Sequence, residues 1–256
     1  MGLTSTTTVY LLLGIPGSGR RAIVHDLVEN GLPPETSVGI LLPASEAPTR
    51  EERDLETLPG VTLAKCDQPP DDRNLPFPTC SFWFVIVPGE QNPVDQMERW
   101  KDWLFRNRSS FELGRILTLI HCRFLQNNPG ARPWFDACIH FSDCILLNHR
   151  QETTNKWVGD FQKEQKKLHV PYLIELVKKG AVANPAKILE PQPRRLSQAF
   201  DFWAFESDAH NGWNIEIEGD PPHPDEEEDP VPEDPYFARM PGGRRLKKIP
   251  DIRKFL

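Results

Sequence analysis

Near the N-terminus, Gly14-Ile15-Pro16-Gly17-Ser18-Gly19 joins a β-rich apolar run, Thr8 to Gly14, to a stretch from Arg20 to Asn30 in which Ile23, Leu27 and Val28 mark one helical face. A strand that enters a glycine turn and leaves as a helix is the opening unit of a parallel α/β sheet. Gly31 follows where a left-handed helix cap favours glycine.

The rest of the chain repeats the alternation. Ser37 to Leu42, Val61 to Cys66, Phe82 to Val87, Arg115 to His121 and Cys144 to Asn148 are compact apolar runs bounded by turn residues, and Pro171 to Leu176 is a weaker one. Amphipathic helical stretches lie between them at Val94 to Arg106, Pro133 to Phe141 and Thr153 to Leu168. The expected fold is therefore α/β in three layers, with a mainly parallel sheet and helices on both faces.

A phosphate-cradling loop needs glycines so that successive N–H groups converge on the anion, a lysine for the outer phosphates, and a hydroxyl for Mg²⁺. Gly14, Gly17 and Gly19 meet the first need, with Ser18 between them. In the spacing G-x-x-x-x-G-K-[ST], Arg20 stands at the lysine and Arg21 at the hydroxyl. Arg20 keeps the charge in a wider planar fork, whereas Arg21 cannot ligate Mg²⁺, so Mg²⁺ is not expected as a cofactor. Two arginines at a helix N-terminus still favour an anion. The competing reading is a plain glycine-rich strand-to-helix turn.

Two later segments resemble the CobW-like P-loop GTPases, the family that includes the CobW, HypB and UreG nucleotide-binding domains. Its members act as metal chaperones or in metallocofactor assembly. Ile139-His140-Phe141-Ser142-Asp143-Cys144-Ile145-Leu146-Leu147-Asn148 is similar to the family's passage I-A-F-A-D-R-I-V-L-N, which leads into the base-reading motif N-K-x-D. Val85 to Pro93 resembles the strand and turn that face the γ-phosphate, with Gly89 and Pro93 retained. The match runs over roughly residues 8 to 190. It implies a GTP or other nucleotide ligand, with Gly14, Gly17, Ser18, Gly19, Arg20, Arg21, Gly89 and Asn148 as the phosphate- or nucleotide-binding residues.

Against the family pattern, His149 replaces the base-reading lysine and Gln151 its aspartate. Ile86 stands at an acidic position, and His121 falls where a strand would end in aspartate. The stretch after Leu42 lacks the Asn-Glu pattern of the first switch. Of the Gly-Cys-x-Cys-Cys metal segment only Cys66 is found, too few ligands for zinc. Losses in all these elements together imply a catalytically degenerate member, a pseudoenzyme acting as a binding or regulatory module, with no catalytic residues and no metal site. The alternatives are an active GTP-dependent metal chaperone with atypical motifs, and a different α/β enzyme in which the glycine loop is coincidental.

Net charge −7 over 256 residues argues against wholesale binding to nucleic acid or anionic membrane. No run of about 18 apolar residues occurs, and five scattered cysteines suit a reducing, cytoplasmic setting. The expected domain plan is the P-loop domain at 1–190, then an aromatic-rich extension at 191–220 (Phe200, Phe202, Trp203, Phe205, Trp213). An acidic, proline-rich linker follows at 221–235, and a basic, apolar tail at 236–256. That tail reads either as a solvated, disordered terminus or as a docking peptide, with Tyr236, Phe237, Ile249, Ile252, Phe255 and Leu256 as anchors and Arg244, Arg245, Lys247 and Lys248 facing an acidic rim. The rim belongs either to its own core or to a protein partner.

Overall fold

The structure, a computed structural model, describes residues 6–77, 80–201 and 233–256. Seven strands form one sheet in the order β3-β2-β4-β1-β5-β6-β7, and every pairing is parallel. The strands are β1 (Thr7–Leu13), β2 (Val38–Leu42), β3 (Val61–Lys65), β4 (Phe82–Ile86), β5 (Phe111–His121), β6 (Cys144–Asn148) and β7 (Leu173–Leu176). The first strand lies at the centre, with Leu12 beside Ile86 of β4 and Leu13 beside Thr118 of β5. Glycine loop, β4 turn and β6 end therefore share one rim.

Alternation along β1 separates two cores. Val9, Leu11 and Leu13 face one side, with α3 (Pro93–Arg106), α4 (Cys122–Asn127), α5 (Arg132–Phe141) and α6 (Asn155–Lys167) packed there. Tyr10 and Leu12 face the other, covered by α1 (Arg20–Gly31), α2 (Arg50–Glu56) and α7 (Pro185–Leu189). The start of α3 is fixed locally: Asn92 accepts a bond from the Val94 N–H, and Pro93 occupies the first turn, where its missing N–H costs nothing.

Three sequence expectations need correction. Gly31 is not a left-handed cap. It is the last helical residue, and glycine is needed because a Cβ there would lie 2.7 Å from Leu189 Cδ1 and 3.1 Å from Pro185 Cβ. The fifth strand begins four residues before Arg115, at Phe111, since Phe111 is buried among Trp83 and Trp103 at 4.8 Å each. The helices α2, α4 and α7 were not anticipated, being five to seven residues long and too short to display a period.

Residues 233–256 pack on the α3–α5 side. Tyr236, Phe237 and Ile252 are buried, the Phe237 ring stacks on Phe141 at 5.1 Å, and Arg245 reaches Asp95 and Glu98 at 2.7 and 2.6 Å. Ile249 and Phe255 are partly covered, whereas Leu256 is exposed. Phe202, Trp203, Phe205, Trp213 and positions 221–232 of the expected linker lie outside the described residues; Phe200 is fully buried. Among the described residues no helix is long and apolar enough to cross a membrane. The five cysteines are free thiols. Burial pushes Cys122 and Cys144 up to about 12, so neither is a ready nucleophile.

Candidate phosphate cradle

The glycine loop runs from the end of β1 into the first turn of α1. Gly14, Gly17 and Gly19 all take positive φ (137°, 76° and 95°), which ordinary side chains resist. Crowding explains one further glycine, Gly89, and adds a second reason at Gly19. A Cβ on Gly89 would collide with the Gly14 carbonyl and with Pro16, and one on Gly19 would strike the Asn148 amide. The β4 turn is thus docked on the loop through bare backbone, and the β6 end through the Asn148 side chain. Asn148 completes the dock: its Nδ2 donates to the Ser18 carbonyl at 2.9 Å and its Oδ1 accepts the His149 N–H at 2.9 Å.

Arg20 opens α1 with its side chain turned into the protein, 2% exposed. Its guanidinium donates through Nη1 to the Val87 carbonyl and through Nη2 to Glu46 Oε1 at 2.6 Å. Glu46 Oε1 also accepts the Gly89 N–H at 2.9 Å, and its Oε2 accepts Arg21 Nη1 at 3.3 Å. Burial draws the Arg20 guanidinium below its ordinary value against the opposing pull of Glu46. Arg21 approaches Glu52 at 3.8 Å, and Glu52 in turn pairs with Lys65 at 2.6 Å. Glu46 stands on the connection between β2 and α2, folded back by its own N–H to Pro43 and by Ser45, whose N–H and Oγ donate to Asp67 at 3.0 and 2.8 Å.

All eight residues singled out from the sequence, Gly14, Gly17, Ser18, Gly19, Arg20, Arg21, Gly89 and Asn148, therefore converge on one rim. The residue missed is Glu46, which supplies the carboxylate that Arg20, Arg21 and Gly89 share. Beside it only a small space remains, about 70 Å³, lined by Gly17, Gly19, Arg20, Arg21, Ala22, Thr49 and Glu51. Ligand sites usually measure about 300–1,000 Å³, so this space is well short of what a nucleotide needs. Arg21 Nε and Nη2 are buried beside it without a hydrogen-bond partner, and so, on the Gly14 side of the loop, is Ser18 Oγ.

At the base-reading position the His149 ring stacks on His121 at 4.0 Å, with His149 itself in left-handed backbone (φ 54°). His121 ends β5 and accepts the Phe124 N–H at 3.2 Å through Nδ1, capping α4. Arg150 Nη2 donates to the Val177 carbonyl at 3.3 Å. Ile86 is buried in the apolar core. Among the described residues no group of three or more His, Cys, Asp or Glu side chains could hold a metal.

No family model matches the chain, and no curated protein does. Solved structures similar to it include Zn(II)-bound YjiA GTPase from E. coli, at 11% identity over 74% of this chain and 66% of that one, TM-score 0.45. Hydrogenase maturation factor HypB from Archaeoglobus fulgidus is 14% identical over 79% and 91%, TM-score 0.44. The signal recognition particle receptor FtsY from Elizabethkingia anophelis, in complex with GDP, is 12% identical over 78% and 65%, TM-score 0.47. This chain thus spans just under two thirds of the length of YjiA and of FtsY. The likeness concerns fold alone.

Proposed function

We propose, from the premise that this chain has a CobW-like P-loop GTPase fold, that it is a catalytically degenerate member: a binding or regulatory module that does not turn over nucleotide. The supporting observation is the carboxylate of Glu46, which takes up the Arg20 and Arg21 guanidiniums and the Gly89 N–H beside the glycine loop. Phosphoryl transfer rests on positioning and on neutralising charge with Mg²⁺ and a lysine. Here the lysine position is an arginine committed to Glu46 and the Val87 carbonyl. At the hydroxyl position Arg21 is turned toward Glu46 and Glu52.

In this reading the P-loop core, 1–190, is a scaffold, and its work is done through surfaces. The segment 236–256 serves as a docking peptide for the core, with Arg245 and the Tyr236–Phe237 pair as its anchors, and the setting is cytoplasmic. No Mg²⁺ takes part. Purified full-length protein incubated with Mg²⁺ and GTP or ATP is expected to release phosphate no faster than buffer alone. Turnover that disappears in Arg20→Ala would overturn the reading and favour a GTP-dependent chaperone.

A further inference from the structure

We propose that Glu46 is a built-in ligand: its carboxylate occupies the anion position of the glycine loop, fastens the turn that carries Gly89, and keeps outside oxyanions from entering. The proposal deepens the non-hydrolysing reading and rests on it. Its basis is the convergence of three donors from two parts of the chain on one carboxylate whose side chain is 4% exposed. Arg20 comes from the first turn of α1, Gly89 N–H from the turn after β4, and Arg21 from the second helical position. Gly89 lies in the turn that docks on Gly14 and Pro16 of the glycine loop, so the carboxylate ties that turn to the start of α1.

Arg21 Nη2 stays buried without a hydrogen-bond partner, and Arg21 Nε has only the 3.8 Å approach to Glu52. Both nitrogens are left to meet an outside anion once the Glu46 carboxylate is gone. Glu46 holds the place because it is tethered: a carboxylate on a short connection acts at an effective concentration that dilute anions do not match. Glu46 is the buried charge on the stretch 43–49, and swinging it out means giving up the bonds from the exposed Ser45 to Asp67.

Removing the carboxylate should turn an excluded anion into a bound one. Full-length wild type, Glu46→Ala and Glu46→Gln are compared in chloride and in inorganic phosphate at equal ionic strength, by thermal unfolding and by phosphate titration. The wild-type midpoint is expected to stay put. Both variants should melt lower in chloride and recover in phosphate, with affinity at least roughly tenfold above wild type. Should Glu46→Ala not fold in chloride, phosphate should restore its folding, while Glu46→Gln keeps the shape of the side chain and reads the charge alone. Equal phosphate response in all three proteins, or none in either variant, overturns the lock. If the wild type hydrolyses GTP, the degenerate reading falls first. If it does not, and the variants gain no phosphate, only the lock falls.

Discussion

Two buried carboxylates sit at opposite ends of the same parallel sheet, and their surroundings are nearly alike. At the cradle, Glu46 accepts from Arg20, Arg21 and the Gly89 N–H. At the far end Asp143, fully buried, accepts the Ile116 N–H at 2.8 Å, the Arg194 N–H at 2.6 Å and Arg195 Nη1 at 3.2 Å. Donor chemistry does not tell them apart; position does. Asp143 immediately precedes β6, and its acceptors stitch β5 to the segment after α7, so it is part of the frame. Glu46 rides on a loop at the carboxyl ends of the strands, where open α/β sheets take ligands. A buried ion pair is weak evidence of function until the end of the sheet it occupies is known.

The sharpest contrast should appear on removing the arginines. Arg195→Met strands Asp143 where the chain cannot move it, and the expected loss is about 3–5 kcal/mol. Arg20→Met leaves Glu46 on a connection that can swing to water, and the loss should be nearer 1–3 kcal/mol. Urea unfolding of the two variants checks the order, and hydrogen exchange should report opening of 43–49 only in Arg20→Met. Equal losses with no local opening would make Glu46 as structural as Asp143.

A smaller effect separates the shape of the cradle from its charge. Asn148→Ala removes the bond to the Ser18 carbonyl and should cost about 1 kcal/mol, leaving the Arg20–Glu46 pair in place. Loss of the pair as well, seen as exchange at 43–49, would mean that the loop is held from β6 and not by its own turn.

Much of this arrangement was legible in the residues. The run from Thr8 through the glycines to Asn30 announced strand, turn and helix, and the apolar bursts of β2, β4 and β6 announced a parallel sheet. Once those strands are parallel, the ends of β4 and β6 must meet the loop, which puts Gly89 and Asn148 beside it. Glu46 was not legible. Ser45-Glu46-Ala47-Pro48 reads as a solvated connection, and nothing local says that its carboxylate turns inward. The one hint was the pair Arg20-Arg21: two guanidiniums at a buried helix start require a carboxylate from elsewhere. Gly31 misled for a related reason, because its need for a missing Cβ comes from Leu189 and Pro185, far along the chain.

Direct titration of the full-length wild type with GTP and with GDP, each with and without Mg²⁺, followed by calorimetry and thermal unfolding, bears most directly on a cradle filled by its own glutamate. No heat of binding and no shift of the midpoint are expected. A nucleotide that raises stability by about 2.7 kcal/mol at 100 times its dissociation constant, the increment a single occupied site gives, would show that the cradle opens to ligand and contradict the closed, self-liganded arrangement.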